Sequence, residues 1–150
     1  MDIGSHALDL LCFLFGEVEA VWADVANRAF DWPVEDTARV GLRFRGGGFG
    51  EIFVSFGVPR MGKFLEVYGT EGSLFVEADP PHTQGWRIEV GDEVREVPSA
   101  DLYMELVEHF GRVVEGEEEP LAPGETGWYN MKVLNAAYRS AREGRLVSPE

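Results

Sequence analysis

The sequence predicts an α+β domain in which a largely antiparallel open sheet carries helices on one face and leaves the other available for oligomerisation. Three observations lead there. Residues 2–15 place apolar side chains at helical spacing, residues 17–97 change to a period of two, and the helical period returns after Pro98. The strand runs are joined by short turns, which suits hairpins and excludes a series of βαβ units. No segment repeats another.

The opening helix is read from Leu8, Leu11, Cys12 and Phe15, and Gly16 ends it as a C-terminal cap residue would. In the strand region, Val18, Ala20 and Trp22 alternate with Glu19, Val21 and Ala23. Val40, Leu42 and Phe44 alternate with Gly41, Arg43 and Arg45, and Ile52, Val54 and Phe56 with Glu51, Phe53 and Ser55. Shorter β-rich runs follow at Phe64–Tyr68 and Leu74–Ala78. A hairpin is expected where Gly91-Asp92 separates Trp86–Val90 from Glu93–Val97. The aromatics Trp22, Phe44, Phe53, Phe56, Phe64, Tyr68 and Phe75 fall on these strands; most are expected in the core, and those on the second face at an interface. Beyond Pro98, Ser99 is a candidate N-cap for a helix striped by Tyr103, Leu106, Val107, Phe110, Val113 and Val114. A Gly/Glu/Pro connection leads to a second helix with Trp128, Met131, Leu134, Tyr138 and Ala141. Gly144 stops it, ahead of a short terminal strand over 145–148.

Composition narrows the function. A formal charge of −14 repels phosphate backbones and argues against nucleic acid as a partner. No apolar run approaches the roughly 20 residues of a membrane helix, since Asp9 interrupts Ala7–Phe15. The N-terminus has no basic region of a signal peptide, so a cytoplasmic protein is expected. A single cysteine, Cys12, leaves no internal disulfide and reads as a buried, inert thiol. Glu117-Glu118-Glu119, between Gly116 and Pro120, reads as a solvated loop; His82 and His109 read as loop and surface residues.

The chemistry-bearing stretch is Asp2-Ile3-Gly4-Ser5-His6-Ala7-Leu8-Asp9. On a helix, residues four apart share a face, so Asp2 and His6 project together with Asp9 one turn further on. An imidazole beside a carboxylate is suited to act as a general base near neutral pH. Capping of a helix start would select the same residue types, and the spacing alone does not choose between the two. The glycine-dense run Gly46-Gly47-Gly48-Phe49-Gly50 joins two strands and opens no helix, so it is read as a hairpin loop and no cofactor-binding residue is assigned. There is no paired metal-ligand motif, no phosphate-binding lysine loop and no Gly-x-Ser-x-Gly elbow.

Met1-Asp2-Ile3-Gly4-Ser5-His6-Ala7-Leu8-Asp9-Leu10-Leu11, with Leu14-Phe15-Gly16, resembles the signature that opens the C-terminal domain of the Gfo/Idh/MocA oxidoreductases, the relatives of glucose-fructose oxidoreductase and inositol dehydrogenase. Leu65-Glu66-Val67-Tyr68-Gly69-Thr70-Glu71-Gly72-Ser73-Leu74 resembles the family's central-sheet segment, and Ala136-Ala137-Tyr138-Arg139-Ser140-Ala141 with Gly144 and Val147 its closing helix and strand. The resemblance implies a single C-terminal domain over residues 1–150, with a Rossmann domain absent from the chain. It implies His6 as the acid/base on a sugar or polyol hydroxyl and Asp2 as a substrate-orienting residue. NAD or NADP is then expected only with a Rossmann partner, which a separate chain could provide, and the isolated chain is expected to be inactive. The Glu-Lys-Pro lysine that completes the family's site has no counterpart here, for Lys63 and Lys132 lie in no such context. A homo-oligomer through the open sheet face is expected. The competing expectation is a non-catalytic oligomerising or ligand-binding module built on the same fold.

Overall fold

The computed structural model describes residues 2–59, 63–78, 85–98 and 100–150, with Asp2 described by its backbone only. Helix α1 spans Asp2–Phe15. Seven strands follow: β1 Val18–Ala26, β2 Thr37–Phe44, β3 Phe49–Ser55, β4 Leu65–Gly69, β5 Gly72–Ala78, β6 Gly85–Val90 and β7 Glu93–Pro98. Helices α2 (Leu102–Glu115) and α3 (Gly124–Glu143) complete the chain. The α+β expectation holds, and the pairing is antiparallel throughout. The strands divide between two sheets, β1-β2-β3 and β4-β5-β6-β7. They belong to two compact units, Met1–Pro59 with Ala122–Glu150, and Arg60–Leu121.

In the first unit, helices α1 and α3 cover one face of the three-stranded sheet. Gly4, Leu8 and Leu11 supply the buried stripe of α1, and Gly16 closes it in the left-handed conformation with its N–H on the Cys12 carbonyl at 2.8 Å. Ala38, Val40, Leu42 and Phe44 of β2 and Ile52 of β3 face inward, as alternation predicts. β1 departs from it. A bulge between Val18 and Ala20 shifts the register, so Val21 and Ala23 face the core and Trp22 faces out.

Helix α3 also turns differently from the expected stripe. Val133, Leu134, Ala136, Ala137 and Ser140 are buried, whereas Trp128 and Met131 are exposed and Lys132 lies over the Trp128 ring at 4.0 Å. Small residues face the sheet because the helix backbone comes close to β1. Ser140 Oγ accepts the Ala23 N–H at 3.1 Å and donates to the Arg145 carbonyl at 2.6 Å, while Tyr129 Oη accepts the Val18 N–H at 2.6 Å. The expected terminal strand is a single antiparallel bridge, in which Val21 and Val147 exchange hydrogen bonds of 2.7 and 2.9 Å.

The second unit holds the four-stranded sheet and α2. Gly91 adopts the left-handed conformation at the β6–β7 hairpin, as its position suggested. The N-cap of α2 is Asp101, whose carboxylate accepts the Met104 N–H at 3.1 Å. That displaces Ser99 from the role, and Ser99 itself lies outside the described residues. Of the strand aromatics expected mostly in the core, only Phe44 is buried.

Candidate functional site

Residues Asp2 to Phe15 are helical, so the i, i+4 relation of Asp2 and His6 holds along the backbone of α1. The Asp2 side chain lies outside the described residues, as does His82. His6 is exposed and has no hydrogen-bond or ionic partner among the described residues. Asp9, one turn on, accepts from Asn130 Nδ2 of α3 at 2.5 Å, which makes it a strap between helices and removes it from any dyad.

A pocket opens at the start of α1. It is lined by Ile3 and Gly4, by Glu35, Asp36, Thr37 and Ala38 at the entry to β2, and by Val54, Ser55 and Phe56 at the exit from β3. Ile3 and Gly4 form the α1 side of this pocket; His6 follows on the same helix, exposed, and is not among the lining residues.

The polar lining is organised by Asp36, one of the two buried polar residues among those described. Its carboxylate accepts the backbone N–H of Arg28 (3.0 and 2.9 Å), Ala29 (2.8 Å) and Phe30 (2.9 Å) and the Thr37 hydroxyl (2.8 Å). Burial opposes its charge, but these donors outweigh it and hold the carboxyl well below the usual carboxylate range. Because Thr37 donates to Asp36, its oxygen accepts the proton of Ser55 Oγ 2.8 Å away, and Ser55 in turn accepts the Gly57 N–H at 3.1 Å. The hydroxyl protons are therefore held within the protein. Tyr138 Oη of α3 donates to Glu35 Oε1 at 2.6 Å; burial, and then this carboxylate, raise its pKa and keep the phenol protonated.

Sequence reasoning missed Glu35, Asp36, Thr37, Ser55 and Tyr138. The available signal was the run Asp31-Trp32-Pro33-Val34-Glu35-Asp36 between two strands, rich in residues that bond their own backbone. The other candidates prove bland. Cys12 is a half-buried free thiol that burial, then the Asp9 charge, push up to about 11. His109 is more enclosed than its surface reading implied: Nε2 accepts the Leu121 N–H at 3.2 Å, so Nδ1 carries the proton toward Glu118 Oε2 at 2.7 Å. Glu118 also pairs with Arg112 at 2.6 Å, so this member of the acidic run closes the loop after α2.

The glycine-dense stretch is the β2–β3 hairpin, with Gly47 and Gly48 in the left-handed conformation and a strand on each side. It therefore offers no helix N-terminus to a pyrophosphate. No described helix is long and apolar enough to cross a membrane.

Fold and pocket together define an α+β domain whose first helix carries an exposed histidine and borders a small hollow. Residues 1–148 match the oxidoreductase family, C-terminal alpha/beta domain, and the chain belongs to this Gfo/Idh/MocA family. It is 28% identical over 156 residues to 1,5-anhydro-D-fructose reductase of Ensifer adhaerens, covering 100% of this chain and 47% of that protein. It is 30% identical over 165 residues to myo-inositol 2-dehydrogenase of Thermotoga maritima, covering 100% and 48%. The WlbA dehydrogenase of Bordetella pertussis, crystallised with NADH and UDP-GlcNAcA, superposes with a TM-score of 0.67 at 28% identity, over 97% of this chain and 43% of that one. The chain thus spans just under half the length of the curated relatives it matches.

Proposed function

We propose that this chain is the substrate domain of a nicotinamide-dependent oxidoreductase acting on a sugar or polyol, with NAD or NADP held by a Rossmann half outside these residues. The observation that supports the reading is an exposed His6 on α1, the helix whose Ile3 and Gly4 border the pocket. A hydroxyl under oxidation gives its proton to His6, and on reduction the carbonyl oxygen takes it back. Asp2, four residues earlier, orients the substrate. Hydride chemistry belongs to the nicotinamide, and no residue of this chain is assigned to it.

The test supplies the nucleotide-binding half, fused or as a separate chain, and follows nicotinamide absorbance with myo-inositol and 1,5-anhydro-D-fructose among a panel of sugars and polyols. His6→Ala is expected to lower kcat by about 10²–10⁴-fold. No turnover of the panel with either dinucleotide would retire the reading.

The outward face of the first sheet favours a second, compatible role. Trp22, Phe49 and Phe53 stand exposed there around the Arg39–Glu51 ion pair of 2.9 Å. A homo-oligomer through this face is part of the proposal, and Phe53→Glu is expected to shift the sedimentation coefficient toward the monomer. If that face alone is functional, the chain is a non-catalytic oligomerising or ligand-binding module, and His6→Ala would change nothing measurable.

A further inference from the structure

One side chain of α2 holds the connection that follows the helix at two points. The His109 side chain is 16% exposed, and both of its ring nitrogens are engaged. Nε2 accepts the Leu121 N–H at 3.2 Å, and Nδ1 donates to Glu118 Oε2 at 2.7 Å. Glu118 Oε1 also accepts from Arg112 Nε at 2.6 Å. The end of α2 itself closes without the imidazole, by the Gly116 N–H on the Val113 carbonyl at 3.1 Å and the Glu117 N–H on the Arg112 carbonyl at 2.9 Å. Directly after Leu121 the chain passes from the second unit into the first.

The two bonds of the ring respond oppositely to a proton. An imidazole accepts only through a nitrogen that carries no hydrogen, and the charged ring has none. Protonation therefore sets Nε2–H against the Leu121 N–H, donor facing donor, and that bond is lost. The bond to Glu118 becomes a charged pair and strengthens. Glu118 stays an anion in both states, because Arg112 and then His109 hold its carboxyl below the usual range. The neighbouring charges are Glu105, Glu108 and Arg112 on α2 and Glu117 and Glu119 on the connection; among the described residues Glu118 alone of the charged groups bonds the ring. Leu121 is 82% exposed, so its release brings the backbone to water and leaves no buried group unpaired.

We infer that His109 is a pH-operated latch on the connection between the two units: neutral, it fastens both Glu118 and Leu121 to α2, and protonated, it keeps Glu118 and lets Leu121 go. With the latch closed, Ala122 alone separates the last anchor from Pro123, the N-cap of α3; with it open, the untethered stretch runs from Glu119 to Ala122. Acid thus lengthens the link between the units while the end of α2 stays closed. Protonation of a histidine is a local event, and the two-state element it biases here is this link.

NMR of the uniformly ¹⁵N-labelled chain, titrated from about pH 8 to about pH 5, where histidine ordinarily changes charge, tests the latch. At the upper end the His109 ring is expected as the Nδ1–H tautomer, with a nitrogen–nitrogen coupling across the Leu121 N–H···Nε2 bond. On protonation the coupling is expected to vanish and the heteronuclear NOE of Glu119 and Leu121 to fall, both with the midpoint of the His109 ring shifts. The Gly116 and Glu117 amides should hold their values throughout. His109→Phe and His109→Gln, neither of which titrates, should each abolish the pH step at Leu121, with circular dichroism checking that both fold. A neutral ring protonated at Nε2 overturns the inference, as does a ring that stays neutral over the whole range. A step at Leu121 that survives in the variants, or one that Gly116 and Glu117 share, also overturns it, since the first places the switch on another group and the second is fraying of the helix end.

Discussion

Residues 1–59 with 122–150, and residues 60–121, draw on the same apolar side chains and use them differently. Among the described residues every buried side chain lies in the first unit, where two helices cover one face of β1-β2-β3. The second unit has four well-paired strands and an amphipathic helix, yet Tyr68, Leu106, Phe110 and Val114 stand exposed. Its visible side-chain ties are surface ones, such as Lys63 to Glu77 at 2.9 Å and Arg87 to Glu89 at 2.8 Å, a class worth about 0–1 kcal/mol each. Periodicity, then, forms elements in both units, but only a second layer turns an apolar face into a core.

The strongest test of this contrast removes a ring from each unit. Phe44 is 2% exposed and packs on Phe15 at 5.4 Å. Phe44→Ala is expected to destabilise the first unit by about 3–5 kcal/mol, read from the urea midpoint of its unfolding transition. A loss under about 1 kcal/mol would mean that the first unit is no better packed than the second.

Asp36→Asn should come next, and its effect depends on pH. An unfolded aspartate titrates near ~3.9, and the folded one lies below that, so its contribution is fully present above about pH 5 and fades as pH falls toward the folded value. The gap in urea midpoint between wild type and variant is therefore expected to stay level from pH 8 to 5 and to narrow steadily as pH falls below about 4. A gap that widens on acidification would show that Asp36 is not held as an anion by the loop it closes.

Ser140→Ala removes two bonds of the same layer, one from the Ala23 N–H and one to the Arg145 carbonyl. It leaves the Ala23 N–H without its acceptor in a buried position, at a cost of about 1–3 kcal/mol by the same measurement. Amide exchange at Ala23 should accelerate in step with the midpoint shift; unchanged exchange would place the stabilisation elsewhere in the layer.

What could be read in advance was local. Gly16, Gly91 and Gly144 marked ends and turns because a left-handed backbone favours glycine, and the Asp2–His6 spacing needed only a helix to be meaningful. The bulge in β1 was not legible, because Val18–Ala23 alternates acceptably in either phase until β2 sets its register. The inward face of α3 was hidden for a related reason: Trp128 and Met131 outweigh Ala136, Ala137 and Ser140 in hydrophobicity, while close approach to β1 selects the small ones. The pocket draws on α1, on the stretch around Glu35 and Asp36, and on the end of β3, and Glu35 is tied from Tyr138 more than a hundred residues away. No window along the chain contains such a set.

Phe110→Ala carries the smallest expected effect and says most about the second unit. The ring is 66% exposed, in a helix whose ends are already secured by Asp101 and by Gly116 in the left-handed conformation. Alanine has the better helix propensity and leaves no cavity where nothing was packed. The midpoint should move by no more than about 0.5 kcal/mol, in the range of surface substitutions generally. A loss of about 2 kcal/mol or more would break the contrast, because only burial of that ring in solution could supply it. Dependence of that loss on protein concentration would then separate burial against another copy from burial within one chain, since only the former follows mass action.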